Sequence, residues 1–288
     1  MNDFPKVIEF QMHNLCNADC IICPYREIPD KKIFMENGLF NKLLQEIGER
    51  EVLLIPYLNN EPFLDSTFCD KLEKVNQMCP NCKIEISTNL SFVNAEVIKR
   101  LEKINIYEFR ISFFGYKEDT YKKMMPGLDY KKVWSNLQLL LKSNLKKTIQ
   151  KISITMIEHE EVEQEEYKLM KGLCNKNGIG FNQWGFLDRA GNNSYFKNEV
   201  KHERIIGCEQ NRPIERMHIL ADGRVIICCQ DWRKEVVLGS ISENNIKEIW
   251  NGKKYYKIRE SIYNRNGIEL CKKCKLSITG QEDGKWSN

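Results

Sequence analysis

Over the first two thirds of the chain, short apolar runs alternate with longer stretches in which apolar residues recur every three or four positions. The short runs fall at 7–12, 52–58, 83–87, 107–113, 151–157 and 180–186, and β-branched and aromatic residues dominate them. Such runs predict strands. Between them, positions 36–48, 67–78, 94–103, 130–143 and 161–176 carry the helical period. This alternation predicts an α/β fold, a parallel sheet with covering helices. Six units suit a partial (β/α)6 barrel better than a closed eightfold one. In such folds the site gathers at the C-terminal ends of the strands.

The pattern changes after residue 187. The polar stretch 191–204 reads as a linker. Beyond it, 217–220 and 224–229 flank Ala221-Asp222-Gly223 and predict a β-hairpin. Residues 245–263 predict one helix with Ile246, Ile249, Tyr256 and Ile262 facing inward. The chain thus divides into a barrel, 1–200, and a small C-terminal domain of hairpin plus helix, 201–288.

Three cysteines, Cys16, Cys20 and Cys23, follow the first strand with the spacing C-x3-C-x2-C. Thiolates this close can face one metal centre. Tetrahedral structural zinc asks for four protein ligands. A cubane iron–sulfur cluster held by three cysteines leaves one iron open for chemistry. The other 9 of the 12 cysteines are too sparse for a disulfide scaffold. The N-terminus has no apolar signal core and no apolar run approaches a membrane span. A cytoplasmic, reducing location follows, where clustered cysteines mean metal or catalysis. The net charge of +4 is spread without long runs, so nucleic-acid binding is not indicated.

The run Cys16-Asn-Ala-Asp-Cys-Ile-Ile-Cys-Pro24, placed after the first strand of a β/α sheet, resembles the motif of the radical S-adenosylmethionine (SAM) enzymes. The resemblance implies a [4Fe-4S] cluster on Cys16, Cys20 and Cys23, with SAM chelating the fourth iron. Reductive cleavage of SAM then yields a 5′-deoxyadenosyl radical that takes a hydrogen atom from substrate. A partial zinc knuckle is the bland alternative. Ile22 stands where the family often has an aromatic residue. Asn59-Asn60-Glu61-Pro62 stands where the family has Gly-Gly-Glu-Pro, which implies that Asn60 and Glu61 meet the SAM amino group. The two asparagines remove the close backbone approach that glycine allows, although asparagine tolerates left-handed backbone. The resemblance also places Ser87, Asn89 and Ser112 beside SAM, with ordinary polar strand ends as the other reading. Arg110 shares the strand face of Ser112.

Cys271-Lys-Lys-Cys274 is a C-x2-C pair, a ligand spacing common to zinc and iron–sulfur centres. Cys208 and one of Cys228 and Cys229 complete a set of four. Neighbours on a strand point to opposite faces, and Cys228 is taken as the ligand. These segments, with Ile227-Cys-Cys-Gln-Asp-Trp232, Leu238-Gly-Ser-Ile-Ser-Glu243 and Ile246-Lys-Glu-Ile-Trp250, resemble the auxiliary-cluster domains of radical SAM enzymes. They fit the single-cluster twitch form better than the larger SPASM form, and among such enzymes they resemble the 2-deoxy-scyllo-inosamine dehydrogenases. A second [4Fe-4S] cluster on Cys208, Cys228, Cys271 and Cys274 is implied, with structural zinc as the rival.

That resemblance also implies that Arg189, after strand six, stands beside the substrate hydroxyl. An arginine stays protonated, so it would orient the hydroxyl rather than remove its proton; a rim salt bridge with Asp188 is the alternative. Gln230 falls where the dehydrogenase has a glutamate near substrate, two residues beyond Cys228 and on the same face if the strand continues. Trp184 and Trp232 are either pocket-lining or core. Cys79-Pro-Asn-Cys82, Cys69 and Cys174 read as incidental, and His13, His159, His202 and His218 lack ligand spacing.

The expected activity is oxidation of a small polar alcohol (a sugar, cyclitol or nucleotide-linked substrate), with flavodoxin or ferredoxin as reductant and the auxiliary cluster accepting an electron. Peptide modification is a second expectation, although only fifteen residues precede Cys16, too few for a leader-binding domain. Epimerisation, with Cys229 as hydrogen donor, is a third, and a non-enzymatic iron–sulfur carrier a fourth.

Overall fold

The computed structural model describes residues 3–186, 188–194, 201–264 and 267–280. The barrel part runs β1 (Val7–Phe10), α1 (Asn37–Ile47), β2 (Leu53–Ile55), α2 (Phe68–Met78), β3 (Lys83–Thr88), α3 (Ala95–Leu101), β4 (Glu108–Ser112), α4 (Glu118–Met124), α5 (Tyr130–Lys142), α6 (Leu145–Thr148), β5 (Lys151–Ile157), α7 (Gln164–Asn177) and β6 (Gly180–Trp184). The C-terminal part runs β7 (Ile205–Cys208), α8 (Arg212–Glu215), β8 (Arg216–Ile219), β9 (Arg224–Ile226), β10 (Val237–Ser240), α9 (Ile246–Trp250), α10 (Lys253–Asn264), α11 (Glu269–Lys272) and β11 (Ser277–Thr279).

All six expected strands are present, and β1 to β6 pair in parallel. On β1, Ile8 and Phe10 are fully buried beneath the helices, while Glu9 alternates to the inner face. Helix α1 buries Phe40, Leu43, Leu44 and Ile47, the i, i+3, i+4, i+7 stripe of an amphipathic helix. Asp129 caps α5 by accepting from the amides of Lys131 and Lys132.

The sheet does not stop at β1. Its order is β10-β9-β8-β1-β2-β3-β4-β5-β6. Strand β8 lies parallel to β1, Val7 opposite Arg216, and the C-terminal hairpin continues the barrel sheet from that edge. Strands β7 and β11 form a separate antiparallel pair with Ser277 opposite Cys208.

Several sequence expectations are corrected. The helix expected over 245–263 is two helices, α9 and α10, interrupted at Asn251 and Gly252. The interruption shifts the phase, so Tyr255 is the buried residue and Tyr256 is 57% exposed. Strand β9 ends at Ile226 rather than Cys229. The chain turns there because the Asp231 carboxylate accepts from the amides of Glu235 and Val236. Helices α4 and α6 have 7 and 4 residues, too short to show a period. Of the expected linker, 195–200 lie outside the described residues.

Helix α10 is anchored through Arg259. Its guanidinium lies 3.9 Å from the Trp250 ring centre and 3.7 Å from that of Tyr255. It donates to the carbonyls of Pro213 and Trp250 at 2.8 and 2.6 Å. Arg259→Met should strand both carbonyls and lose the ring contacts, costing about 3 kcal/mol. Urea unfolding of the cluster-free protein measures this, and an unchanged midpoint would refute it.

Candidate active site

A cavity of about 320 Å³ opens at the C-terminal ends of the barrel strands. Cys16, Cys20 and Cys23 form one wall. Their loop is pinned by backbone: Asp19 N donates to Pro126 O at 2.8 Å and Ile21 N to Met124 O at 3.2 Å. Gly127, at φ +86°, makes that approach possible, since a Cβ there would come within 3.1 Å of Asn17 O. The Tyr25 hydroxyl accepts from Cys16 N at 2.9 Å.

Burial pushes the Cys16 thiol up to about 12, and raises Cys20 and Cys23 as well. Thiolates here need a cation to replace the lost protons. Among the described residues, only Glu9, His218 and Cys229 bring three donor atoms all within 4.8 Å of one another. The three loop thiols are therefore spread wider than a single tetrahedral zinc requires, about 3.8 Å between sulfurs for bonds of about 2.3 Å. The trio fits a cluster better than one ion.

Opposite the thiols, Glu61 is 2% exposed. Its carboxylate accepts from Thr88 Oγ1 at 2.6 Å, Asn89 N at 2.7 Å and Phe63 N at 3.2 Å. Burial outweighs these bonds and lifts its pKa to about 7. An incoming ammonium would relieve that cost. Asn60 lines the cavity beside it, its Oδ1 accepting from Leu58 N at 3.0 Å. Ser87, Asn89 and Ser112 all line the cavity. The Asn89 side chain is already committed, however: Nδ2 donates to Asn17 Oδ1 at 2.9 Å, and Oδ1 accepts from Ser91. It braces the cysteine loop.

The floor carries paired charges. Arg110 pairs with Glu85 and Tyr57 and lies 5.2 Å from the Trp184 ring centre. Glu9 pairs with Arg216 at 2.8 Å and with His218 at 3.5 Å. Burial opposes the Glu9 charge, but His218 and Arg216 hold it down to about 2. Burial likewise opposes charge on His218, yet Glu9 and Cys229 lift it to about 9. Glu9 and His218 each stand alone between apolar neighbours on a strand, a pattern that marks inward polar groups.

Arg189 lines the cavity at φ +55°. Asp188 accepts from Ala190 N at 3.1 Å. Trp184 and Trp232 both line the cavity. Gln230 does not: it is 2% exposed, sits in the turn after β9, and its carbonyl accepts from Asn192 Nδ2 at 3.0 Å. The same-face argument for Gln230 needed a strand that has already ended.

The two adjacent cysteines are hydrogen-bonded to each other, and only one of them lines the cavity. Cys229 lines the cavity, whereas Cys228 Sγ accepts from Gln230 N at 3.5 Å and lies 4.0 Å from Arg212 Nη1. Cys208, Cys271 and Cys274 lie together because β7 pairs with β11 just beyond Cys274; Cys274 and Cys208 both act on the Cys271 thiol, and Cys208 on that of Cys274. Arg212 links this trio to Cys228, since Cys208 and Cys228 both act on it. Cys79 and Cys82 are buried elsewhere, against the carbonyls of Leu44 and Arg50.

Residues 10–170 match the Radical SAM superfamily, and residues 208–275 match SPASM, an iron–sulfur cluster-binding domain. The chain belongs to the radical SAM superfamily. As such an enzyme it uses SAM and two [4Fe-4S] clusters. It is 20% identical over 291 residues to the S-adenosyl-L-methionine-dependent 2-deoxy-scyllo-inosamine dehydrogenase of Niallia circulans, with 98% of each chain covered. Its fold is similar to BtrN in complex with AdoMet and 2-DOIA (TM-score 0.63, 16% identity, 96% of this chain and 94% of that one). It is also similar to Streptococcus suis SuiB bound to precursor peptide SuiA (TM-score 0.72, 14% identity, 95% and 70%). No helix among the described residues is long and apolar enough to cross a membrane.

The raised Glu61 gives a prediction about this radical SAM chain. Its folded value, about 7, lies above the ordinary carboxyl value of 4.5. The carboxyl therefore favours the folded state when protonated, and that contribution is lost as pH rises from about 4.5 through about 7. In the cluster-free protein, Glu61→Gln should gain about 2–4 kcal/mol relative to wild type between pH 5 and pH 8. Parallel urea unfolding at the two pH values measures it; a pH-independent difference would refute the buried-acid assignment.

Proposed function

We propose that this enzyme oxidises a small polar alcohol, with residues 1–200 as the catalytic barrel and 201–288 as a twitch-type auxiliary domain. Cys16, Cys20 and Cys23 would hold the first cluster, and Glu61 and Asn60 would meet the SAM amino group, with Ser87 and Ser112 along the nucleoside. Together, cluster and SAM supply a 5′-deoxyadenosyl radical inside the cavity. Cys208, Cys228, Cys271 and Cys274 would hold the second cluster.

The observation that carries this reading is the position of the adjacent, mutually hydrogen-bonded Cys228 and Cys229: Cys229 lines the cavity, and Cys228 lies against Arg212. The substrate wall and the auxiliary centre are one residue apart. Oxidation of a carbinol requires that an electron leave after hydrogen abstraction, and this adjacency gives it a short exit. Arg189, on the cavity wall, would orient the hydroxyl and stabilise developing negative charge. A flavodoxin or ferredoxin would supply the electron that starts each turnover, in a cytoplasmic setting.

The substrate class follows from charge. On the floor, Glu9 is paired with Arg216 and His218, and Glu85 with Arg110. Neither carboxylate is free for a cationic substrate. A neutral or anionic sugar, cyclitol or nucleotide-linked alcohol suits these walls better than an aminocyclitol.

One observation favours a second reading. Cys229 faces the cavity with His218 beside it. A thiol there could return a hydrogen atom to the substrate carbon, which makes the reaction an epimerisation. The fold likeness to peptide-bound SuiB keeps a peptide substrate as a further outcome of the same screen.

Anaerobically reconstituted protein with SAM and dithionite should release 5′-deoxyadenosine. Cys16→Ala should abolish it while about four irons per chain remain on the second set. No product above background would sink the reading, as would zinc in place of the second four irons. A screen of sugars, cyclitols and 2-deoxy-scyllo-inosamine in D₂O separates the outcomes. A ketone without carbon-bound deuterium is expected. A redox-neutral product that gains one deuterium, and no longer does so in Cys229→Ala, replaces oxidation by epimerisation.

A further inference from the structure

The second thiol set is surrounded by hydrogen-bond donors that have nothing to bond. Arg212 begins the short helix α8, four residues after Cys208, and its Nη1 lies 4.0 Å from Cys228 Sγ. Its Nε is buried and without a partner among the described residues. It forms no ion pair among those residues; the charges acting on it are, in order, those of Cys229, Cys228, Glu9 and Cys208. The Tyr263 hydroxyl, on α10, is also buried and unpartnered, and Cys208 and Cys271 lie close enough to act on it. Gln230 N already points at Cys228 Sγ, at 3.5 Å.

Orphaned buried donors cost about 1–3 kcal/mol each. Two of them, one cationic, converging on the same four thiols from separate elements imply an anionic acceptor between those elements. An iron–sulfur cluster is such an acceptor: its thiolates and sulfides take hydrogen bonds from the protein, and those bonds and nearby charge set its potential. Each electron added makes the cluster more negative. A guanidinium at this range stabilises the reduced form more than the oxidised one.

We propose that Arg212, assisted by the Tyr263 hydroxyl, donates hydrogen bonds to the auxiliary cluster and raises its reduction potential, which fits it to receive the electron left by substrate. Arg212 is a positioning residue in this account: it acts through the cluster and does not touch substrate. The inference rests on the reading of Cys208, Cys228, Cys271 and Cys274 as the ligands.

The test uses the full-length chain with Cys16, Cys20 and Cys23 all changed to Ala, so that only the second cluster gives a signal. An EPR-monitored redox titration reads its midpoint. In Arg212→Gln the equilibrium constant for one-electron reduction should fall at least about tenfold, which is about 59 mV. Tyr263→Phe, which removes one oxygen, should lower it by a smaller amount and should erase an exchangeable-proton coupling seen by pulsed EPR in H₂O against D₂O. Arg224→Gln removes an equal charge from the far end of β9, where Arg224 pairs with Asp222, and should leave the midpoint in place. If Arg212→Gln loads no cluster, Arg212→Lys takes its place, with a midpoint between wild type and the expected Gln value. Midpoints and proton couplings unchanged in both the Arg212 and the Tyr263 variants overturn the proposal. An absent iron–sulfur signal before either residue is altered overturns the ligand assignment instead, and this inference with it.

Discussion

The parallel pairing of β1 with β8 is the contact on which the site depends. Without it, β8, β9 and β10 would form a separate three-stranded sheet, detached from the barrel. Joined to β1, it brings Arg216 and His218 against Glu9. The same pairing carries Cys229 to the cavity that the cysteine loop lines from the other side of β1. A backbone ladder thus sets the separation between the two thiol sets, and a ladder is stiffer than any linker.

Charge inside the cavity is managed by pairing. Arg110 and Glu85 cancel, as do Glu9 and its two cationic partners. Buried charges cost several kcal/mol when alone and are tolerated when paired and hydrogen-bonded. Two groups break the pattern. Glu61 accepts three hydrogen bonds but has no cationic partner among the described residues, and burial lifts its pKa. Arg212 is cationic and forms no ion pair among those residues, Glu9 acting on it only at longer range. One is an acid in want of a cation, the other a cation in want of an anion. Each faces a thiol set, so each imbalance lies where a charged ligand would cancel it.

Local pattern carried most of the barrel. Strands such as β5 were legible because both faces are buried, which leaves near-continuous apolar runs. The cysteine loop and the Asn60-Glu61 turn were legible because their chemistry is contiguous in sequence. What was hidden is non-local. Glu9 is an unusual acid in an apolar strand, but nothing in its neighbourhood names Arg216 or His218, more than two hundred residues away. Arg212 reads as a surface arginine until β7, α8 and α10 are folded around it. The phase error at Tyr256 came from Asn251 and Gly252, which interrupt a helical period without erasing it. Asn89 sat in the right place for the wrong reason, since its amide is spent on Asn17.

The placement of Cys228 and Cys229 shows how little sequence decides the arrangement. Both follow the end of β9, so a slip of one residue in that strand would move both thiols along the turn. Such a slip is opposed from both ends of the segment. Upstream, Leu220 N donates to Arg224 O and Ile241 N to Gly223 O, and His218 and Ile219 stand opposite Ile226 and Val225. Downstream, Ile227 N still donates to Val236 O, and the Asp231 carboxylate closes the turn onto Glu235 and Val236. A strand of three residues would not hold its register alone. Held by a turn at each end, it fixes where the two thiols fall, with Cys229 on the cavity wall and Cys228 against Arg212.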